Sequence, residues 1–415
     1  MSHHPTITRW LSGCALLCSA AHATDGYFQN GYSTRSSGAG GVGIALPQDA
    51  VAGAYNPAAT AWLHRRLDIG LSAFVPDRSA TIHGNPLASG HYGGNGSHWF
   101  PIPEFGWSRP LPHALSVGIA AYANGGMNTT YRHNPYAAFG SRGKAGVSLE
   151  QAFVSPTLAW QYAPGQALGI GLNFAWQHFE ARGLGAFASA SIAPDQLSNN
   201  GYHNSTGWGP SAGWLGRFGP FSLGLAWTAR IHASRFKAYQ GLFASHGSFD
   251  IPQRYGLGLA WQATRQLTLA SDIQRIDYAD VESIAQPIEA LLAGRPLGSH
   301  DGPGFGWRSI TSYKFGAIYQ LSGPLKLRLG FSHAGNPVPT GQTFFNILAP
   351  AVAENHLSAG ASWKVGHHGE LSLAYTHAFS KHIRGRNSVP QPFGGGEADL
   401  QLGEDQLGLA YAYIY

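Results

Sequence analysis

Ala167-Leu168-Gly169-Ile170-Gly171-Leu172-Asn173-Phe174-Ala175-Trp176 alternates at every step. Side chains of an extended strand point to opposite faces in turn. Leu168, Ile170, Leu172, Phe174 and Trp176 therefore share one face, and Ala167, Gly169, Gly171, Asn173 and Ala175 the other. The pattern recurs at Tyr255, Leu257, Leu259 and Trp261; at Leu325, Leu327, Leu329 and Phe331; at Leu357, Ala359, Ala361 and Trp363; and at Leu371, Leu373 and Tyr375. Past the N-terminus no run approaches the roughly 18 uninterrupted apolar residues of a membrane-spanning helix. Hydrophobicity hidden in every second residue is instead the signature of a transmembrane β-barrel, whose wall pairs all its own backbone groups because lipid offers no partner.

Composition supports that reading. Of 415 residues only 11% are charged, against about 25% in an ordinary soluble domain. Glycine is abundant at 56 residues, and aromatics make up 12%. With 44% hydrophobic content the chain has ample apolar surface to bury, which excludes disorder. The net charge of +5 comes without a basic cluster, the densest being Arg65-Arg66, so no nucleic-acid partner is expected.

Residues 1–23 read as a secretory signal: Arg9 supplies positive charge, Leu11 to Cys18 an apolar core, and Ala21-His22-Ala23 a cleavage site, so the mature chain would start at Thr24. Leu11-Ser12-Gly13-Cys14 also fits a lipobox, but the stretch before it is too short and polar to serve as the apolar core. Both cysteines lie in the signal, which leaves the mature chain without disulfide or thiol chemistry.

Tight turns are expected at Pro110–Pro112, Ala163–Gln166, Gly219-Pro220, Ala263–Arg265, Ser322–Pro324 and Gly366–Gly369. Longer Gly-, Asn- and Ser-rich stretches alternate with them, near 78–97, 125–145, 183–205, 237–248, 283–306, 337–354 and 385–398. Seven long loops and six short turns predict fourteen antiparallel strands over residues 64–415, with both chain ends on the periplasmic side. The last strand carries Leu407, Leu409, Tyr411, Tyr413 and Tyr415 on one face. Its aromatic end resembles the signal read by the outer-membrane barrel assembly machinery.

Residues 24–63 do not alternate, yet carry Tyr27, Phe28, Tyr32, Tyr55 and Trp62. A barrel of fourteen strands is too wide for its own side chains to fill, so this segment is expected inside it as a plug. Here a family resemblance becomes specific. Gly26-Tyr27-Phe28-Gln29, the Ser- and Gly-rich run to Ala45, Asp49-Ala50 and Asn56-Pro57-Ala58 resemble the N-terminal hatch of the FadL/TodX family. Phe249–Pro252, Gly330-Phe331-Ser332, Asn336–Pro339 and Leu357–Gly360 resemble its later strands and loops. The resemblance implies an all-β, fourteen-stranded barrel with a hatch in its lumen, in the outer membrane of a Gram-negative bacterium. It also implies passive uptake of long-chain fatty acids or aromatic hydrocarbons, with a lateral exit at an inward kink of strand three. Phe28 matches a pocket residue, and Asn56, Pro57 and Ala58 match the hatch motif beside that exit.

Other candidates rest on position alone. Ile284, Ile288, Leu291 and Leu292 have helical spacing and would form half of a greasy capture groove, or simply pack over the barrel mouth. Arg308, Lys314, Lys326 and Arg328 are candidate partners for a ligand carboxylate. Gly38–Gly43 fits G-x-G-x-x-G but lacks the flanking strand and helix of a nucleotide site. The twenty histidines include no metal-binding spacing, so neither metal nor cofactor is expected. No G-x-S-x-G nucleophile motif occurs. The reading is a monomeric, non-enzymatic transporter whose partners are a hydrophobic ligand, outer-membrane lipid and lipopolysaccharide; a barrel lipid hydrolase and a general porin are the alternatives.

Overall fold

The computed structural model describes residues 25–415. The expected signal, its Cys14 lipobox and the Thr24 start lie outside the described residues. Sixteen strands form one antiparallel sheet; two, Gly90–Gly93 and His232–Ala233, are short additions, leaving a wall of fourteen. We number the wall β1 (Arg66–His83), β2 (Phe100–Pro110), β3 (Leu115–Asn128), β4 (Gly146–Ala163), β5 (Gln166–Arg182), β6 (His203–Phe218) and β7 (Phe221–Thr228). It continues through β8 (Arg254–Gln262), β9 (Leu267–Ile276), β10 (Ile310–Gln320), β11 (Leu325–Ala334), β12 (Asn355–Val365), β13 (Gly369–Ile383) and β14 (Glu397–Ile414). β14 pairs with β1 from Arg66↔Ile414 to His83↔Glu397, which closes the barrel. All six expected turns join neighbouring strands; the first long loop is shorter than expected, because β1 runs on to His83.

The alternation sorts as lipid requires. Leu168, Ile170, Phe174 and Trp176 are exposed on the outside, as are Leu407, Leu409, Tyr411, Tyr413 and Tyr415, while Ala167, Ala175, Ala410 and Ala412 are buried inside. Among the described residues no helix is long and apolar enough to cross a membrane.

Residues 25–63 lie within the lumen, and the wall's glycines make room for them. A Cβ at Gly330 would sit 1.9 Å from the Gly40 nitrogen, one at Gly169 2.2 Å from the Ala58 nitrogen, and one at Gly224 2.4 Å from the Ile44 carbonyl oxygen. Gly106 meets the Ala50 and Val51 main chain and Gly316 the Ala39 carbonyl in the same way, while Gly213 makes room for the Asn56 side-chain amide. These glycines form a girdle of bare backbone on which the segment's own main chain rests. Large lumen-facing side chains would hold the two apart.

Polar ties fix the segment at points around the wall. Arg35 pairs with Asp68 on β1 and with Glu370 on β13, the latter at 2.8 Å; Arg66 also holds Asp68, at 2.7 Å. Asp272 on β9 accepts the Gly43 and Ile44 N–H groups at 2.7 and 3.0 Å. Lys314 on β10 pairs with Asp25 at 2.7 Å. Asp49 caps the short 3-10 turn Ala50–Ala54, accepting from Val51 N–H, and also accepts from Ser33 Oγ. Burial, with Asp68 close by, pushes the Asp49 carboxyl above the usual carboxylate range.

Candidate functional site

The ladder between β2 and β3 is incomplete. It runs from Pro110↔Ser116 to Phe105↔Ala121 and stops, although β2 extends to Phe100 and β3 to Asn128. Pairing resumes only above β3, where Thr130 exchanges backbone hydrogen bonds with Gly94 and Gly96. The edge of β3 from Tyr122 to Asn128 thus faces an interruption in the wall. On its other side β3 stays paired with β4, across a bulge between Asn124 and Met127. A bulge bends its strand, and here the bend is tied inward: Gly126 N–H donates to the Tyr27 carbonyl at 3.2 Å. Unpaired backbone at membrane depth is tolerated only where it lines a cavity or meets protein.

Such a cavity lies behind this edge. It measures about 70 Å³ and is lined by Tyr27–Asn30 of the lumenal segment, by Gly126–Asn128 of the bent strand, by Phe74, Pro76 and Arg78 of β1, and by Leu402 and Glu404 of β14. Phe28 is buried in its wall, stacked on Tyr27 with ring centroids 5.2 Å apart and edge-on to Tyr278 at 6.1 Å. The Arg254 guanidinium lies 5.6 Å from the Phe28 centroid and donates to the hydroxyls of Tyr32 and Tyr122 and to the Ala54 carbonyl. Arg78 braces the top of the interruption, donating to the Asn128 and Ser97 carbonyls.

A sequence profile for outer membrane protein transport proteins (OMPP1/FadL/TodX) matches residues 15–396. The chain belongs to this family. It is therefore a transport protein of the Gram-negative outer membrane. Among solved structures of OMPP1/FadL/TodX-like barrels, a FadL homologue from Pseudomonas aeruginosa superposes with a TM-score of 0.71 at 17% identity, covering 94% of this chain and 99% of its own. The toluene transporter TodX of P. putida gives 0.66 at 14% identity over 93% and 99%, and the toluene transporter TbuX of Ralstonia pickettii 0.65 at 17% over 93% and 99%. These are likenesses of fold. An outer membrane protein of Neisseria meningitidis serogroup B is 30% identical over 115 residues, so the match spans 26% of this chain and only 24% of that relative.

Against this family background the remaining sequence candidates fall in different places. Asn56 caps the turn Pro57–Trp62, accepting from Ala58 N–H at 3.0 Å, while its Nδ2 donates to the Ile44 and Trp214 carbonyls at 2.9 and 3.0 Å. Asn56, Pro57 and Ala58 therefore rest on β5 and β6, against Gly169 and Gly213, rather than beside the interruption. The preceding turn Ala50–Ala54 contacts β2 and β3, and Pro57–Trp62 also touches β3, through Thr60 at Gly118.

The expected amphipathic helix is two single turns, Glu282–Ala285 and Glu289–Leu292. Pro287 separates them, since proline restricts the residue before it and supplies no N–H. Ile284 and Ile288 are buried, Leu291 is half-buried and Leu292 exposed, so they do not share one face of an open groove. The apolar cavity beneath these loops, about 40 Å³, is lined instead by Phe179, Phe187, Phe243, Leu297, Phe305 and Phe345, among others.

None of the four candidate cations lines the cavity beside Phe28. Arg308 is exposed and Lys326 half-buried. Lys314 is taken by Asp25 and the Asn30 carbonyl, and Arg328 by Gln48 at 2.9 Å and Ser362 at 2.6 Å. The cations that do reach the Phe28 region, Arg78 and Arg254, escaped sequence reading. Their one signal is a charge on the lumen face of a strand.

Proposed function

We propose that the chain carries hydrophobic compounds passively across the outer membrane, with residues 24–63 as its hatch and residues 64–415 as its barrel, after removal of residues 1–23. The observation that carries the proposal is the cavity beside Phe28 reaching the unpaired edge of β3. An apolar molecule gains about 0.8 kcal/mol per buried CH₂, so it enters such a cavity without energy input and leaves sideways into the bilayer. The protein acts as a channel, not an enzyme: it is a monomer, set in lipopolysaccharide and placed there by the barrel assembly machinery.

Bridging the interruption tests this route. Had the ladder continued, Pro103 would face Ala123. Residues 24–415 contain no cysteine, so Pro103→Cys with Ala123→Cys gives a clean pair for a bifunctional maleimide. Uptake of oleate or toluene by transporter-deficient cells should drop to background on bridging, at unchanged membrane level. Full uptake with complete bridging would rule out the lateral route. Phe28→Ala should separately weaken ligand retention by about 1.5–3 kcal/mol, the value of a fully buried apolar side chain; retention equal to wild type in a direct binding titration would remove Phe28 from the pocket.

A further inference from the structure

β2 opens with proline at alternate positions, Phe100-Pro101-Ile102-Pro103-Glu104. Backbone groups along a strand point to its two neighbours in turn, so the ends of the ladders tell which way each nitrogen faces. At the hairpin between β2 and β3, Leu111 N–H donates to the Leu115 carbonyl at 2.8 Å, which turns the odd-numbered residues of β2 toward β3. At the far edge of β1, Tyr415 N–H donates to the Arg65 carbonyl at 3.0 Å, which turns the odd-numbered residues of β1 toward β14 and the even-numbered ones toward β2. Gly70↔Glu104 and Ser72↔Ile102 are therefore hydrogen-bonded pairs, and Leu71↔Pro103 and Ala73↔Pro101 are not. Both readings aim the Pro101 and Pro103 nitrogens at β3.

Proline has no N–H, and within a sheet it is confined to places where that donor is not needed. Pairing with β1 loses nothing, and it is complete from Arg66↔Ser108 to Phe74↔Phe100. Pairing with β3 lacks both donors that would follow Phe105↔Ala121, and that is where it stops. β2 itself is fixed. Ile102 and Glu104 are buried on the lumen side, where Glu104 accepts from Thr34 N–H and Oγ1 at 2.6 and 3.0 Å, while the proline rings are exposed on the outside. The bulge between Asn124 and Met127 and the tie from Gly126 to Tyr27 lie further along and act on β3 alone.

We propose that Pro101 and Pro103 set the width of the lateral opening, by withholding from β3 the two donors that would carry the ladder across it. The proposal rests on the reading of this interruption as the transport route and assigns the residues that keep it open.

Pro101→Val with Pro103→Val restores both donors on residues that suit a lipid-facing strand. Pro101→Ala with Pro103→Ala restores them with no branched side chain to pack. In either double variant of the full chain, perdeuterated and in detergent, an amide–amide nuclear Overhauser contact should appear between residue 103 and Ala123, which would face each other in a continued ladder. The heat-modifiable transition should rise, and uptake of toluene and oleate by transporter-deficient cells should fall about tenfold at equal membrane level, the scale of two added hydrogen bonds. Damage to the wall would lower the transition, so a closed ladder and a disturbed barrel move it in opposite directions. If both double variants fold and neither shows the contact, the assignment is overturned and the lateral route stands, with the bulge and its tie to Tyr27 as the cause of the interruption. The contact together with full uptake overturns the route itself, and with it any part of the prolines in transport.

Discussion

Gly330→Leu should convert a plugged barrel into a conducting pore. The Gly330 Cβ would sit 1.9 Å from the Gly40 nitrogen and 2.2 Å from the Ala39 carbonyl carbon, so the obstruction is main chain and no rotamer change relieves it. Overpacking a site whose neighbours can shift costs about 1–3 kcal/mol; here the neighbour is a backbone held on several sides, and the segment must move as a unit. The wall is unaffected, because Gly330 keeps its pairing with Gly316 and Ser358 and any residue adopts strand dihedrals there. In planar bilayers the wild type should conduct poorly and the variant should show large, steady openings. Wild-type conductance from a folded, heat-modifiable variant would mean that the segment yields locally and the girdle does not hold it.

Arg35→Leu should loosen the same segment from its other side. Arg35 is almost fully buried and bridges Asp68 and Glu370 across two strands. Asp68 keeps Arg66 as a partner, but Glu370 loses its ion pair with Arg35. Breaking a buried pair by removing one member costs about 3–5 kcal/mol, mostly because the other charge is stranded. The heat-modifiable transition should fall and residues 25–63 should become accessible to protease from the periplasmic side. Adding Glu370→Gln should recover most of the loss. If the double variant is no better than Arg35→Leu alone, Arg35 contributes by packing its long side chain and not by pairing.

The wall was legible because its signals are local. Alternation is written within ten residues and tight turns within four, so fourteen strands follow from the chain read in order. The pocket is a different kind of object. Phe28, Arg78, His356 and Glu404 are scattered over most of the chain and meet only because the barrel closes, a long-range event no window of sequence reports. Phe28 itself was found through resemblance, whereas Gln29 and Asn30 beside it carried no sign of being unpaired until their surroundings were known. The helix expected from Ile284 to Leu292 is broken for a local reason present in the sequence: Pro287 lies inside the periodic apolar pattern. The position of Asn56-Pro57-Ala58 depends on Gly169 and Gly213, more than a hundred residues away.

The glycine girdle also bears on how such a protein can change over time. Where the wall meets the plug through bare backbone, it measures the thickness of a main chain and is indifferent to the side chains that chain carries elsewhere. The constraint on variation therefore falls on the wall, on the glycines of the strands that touch the plug, while the plug is free to alter the residues it presents to the cavity. Gln29 and Asn30 lie on that free side. A barrel of this design can acquire a new cargo by exchanging a segment of about forty residues, and a plug borrowed from a distant relative should seat in this wall, and bring its own selectivity with it, provided that it keeps partners for Asp68, Glu370 and Lys314.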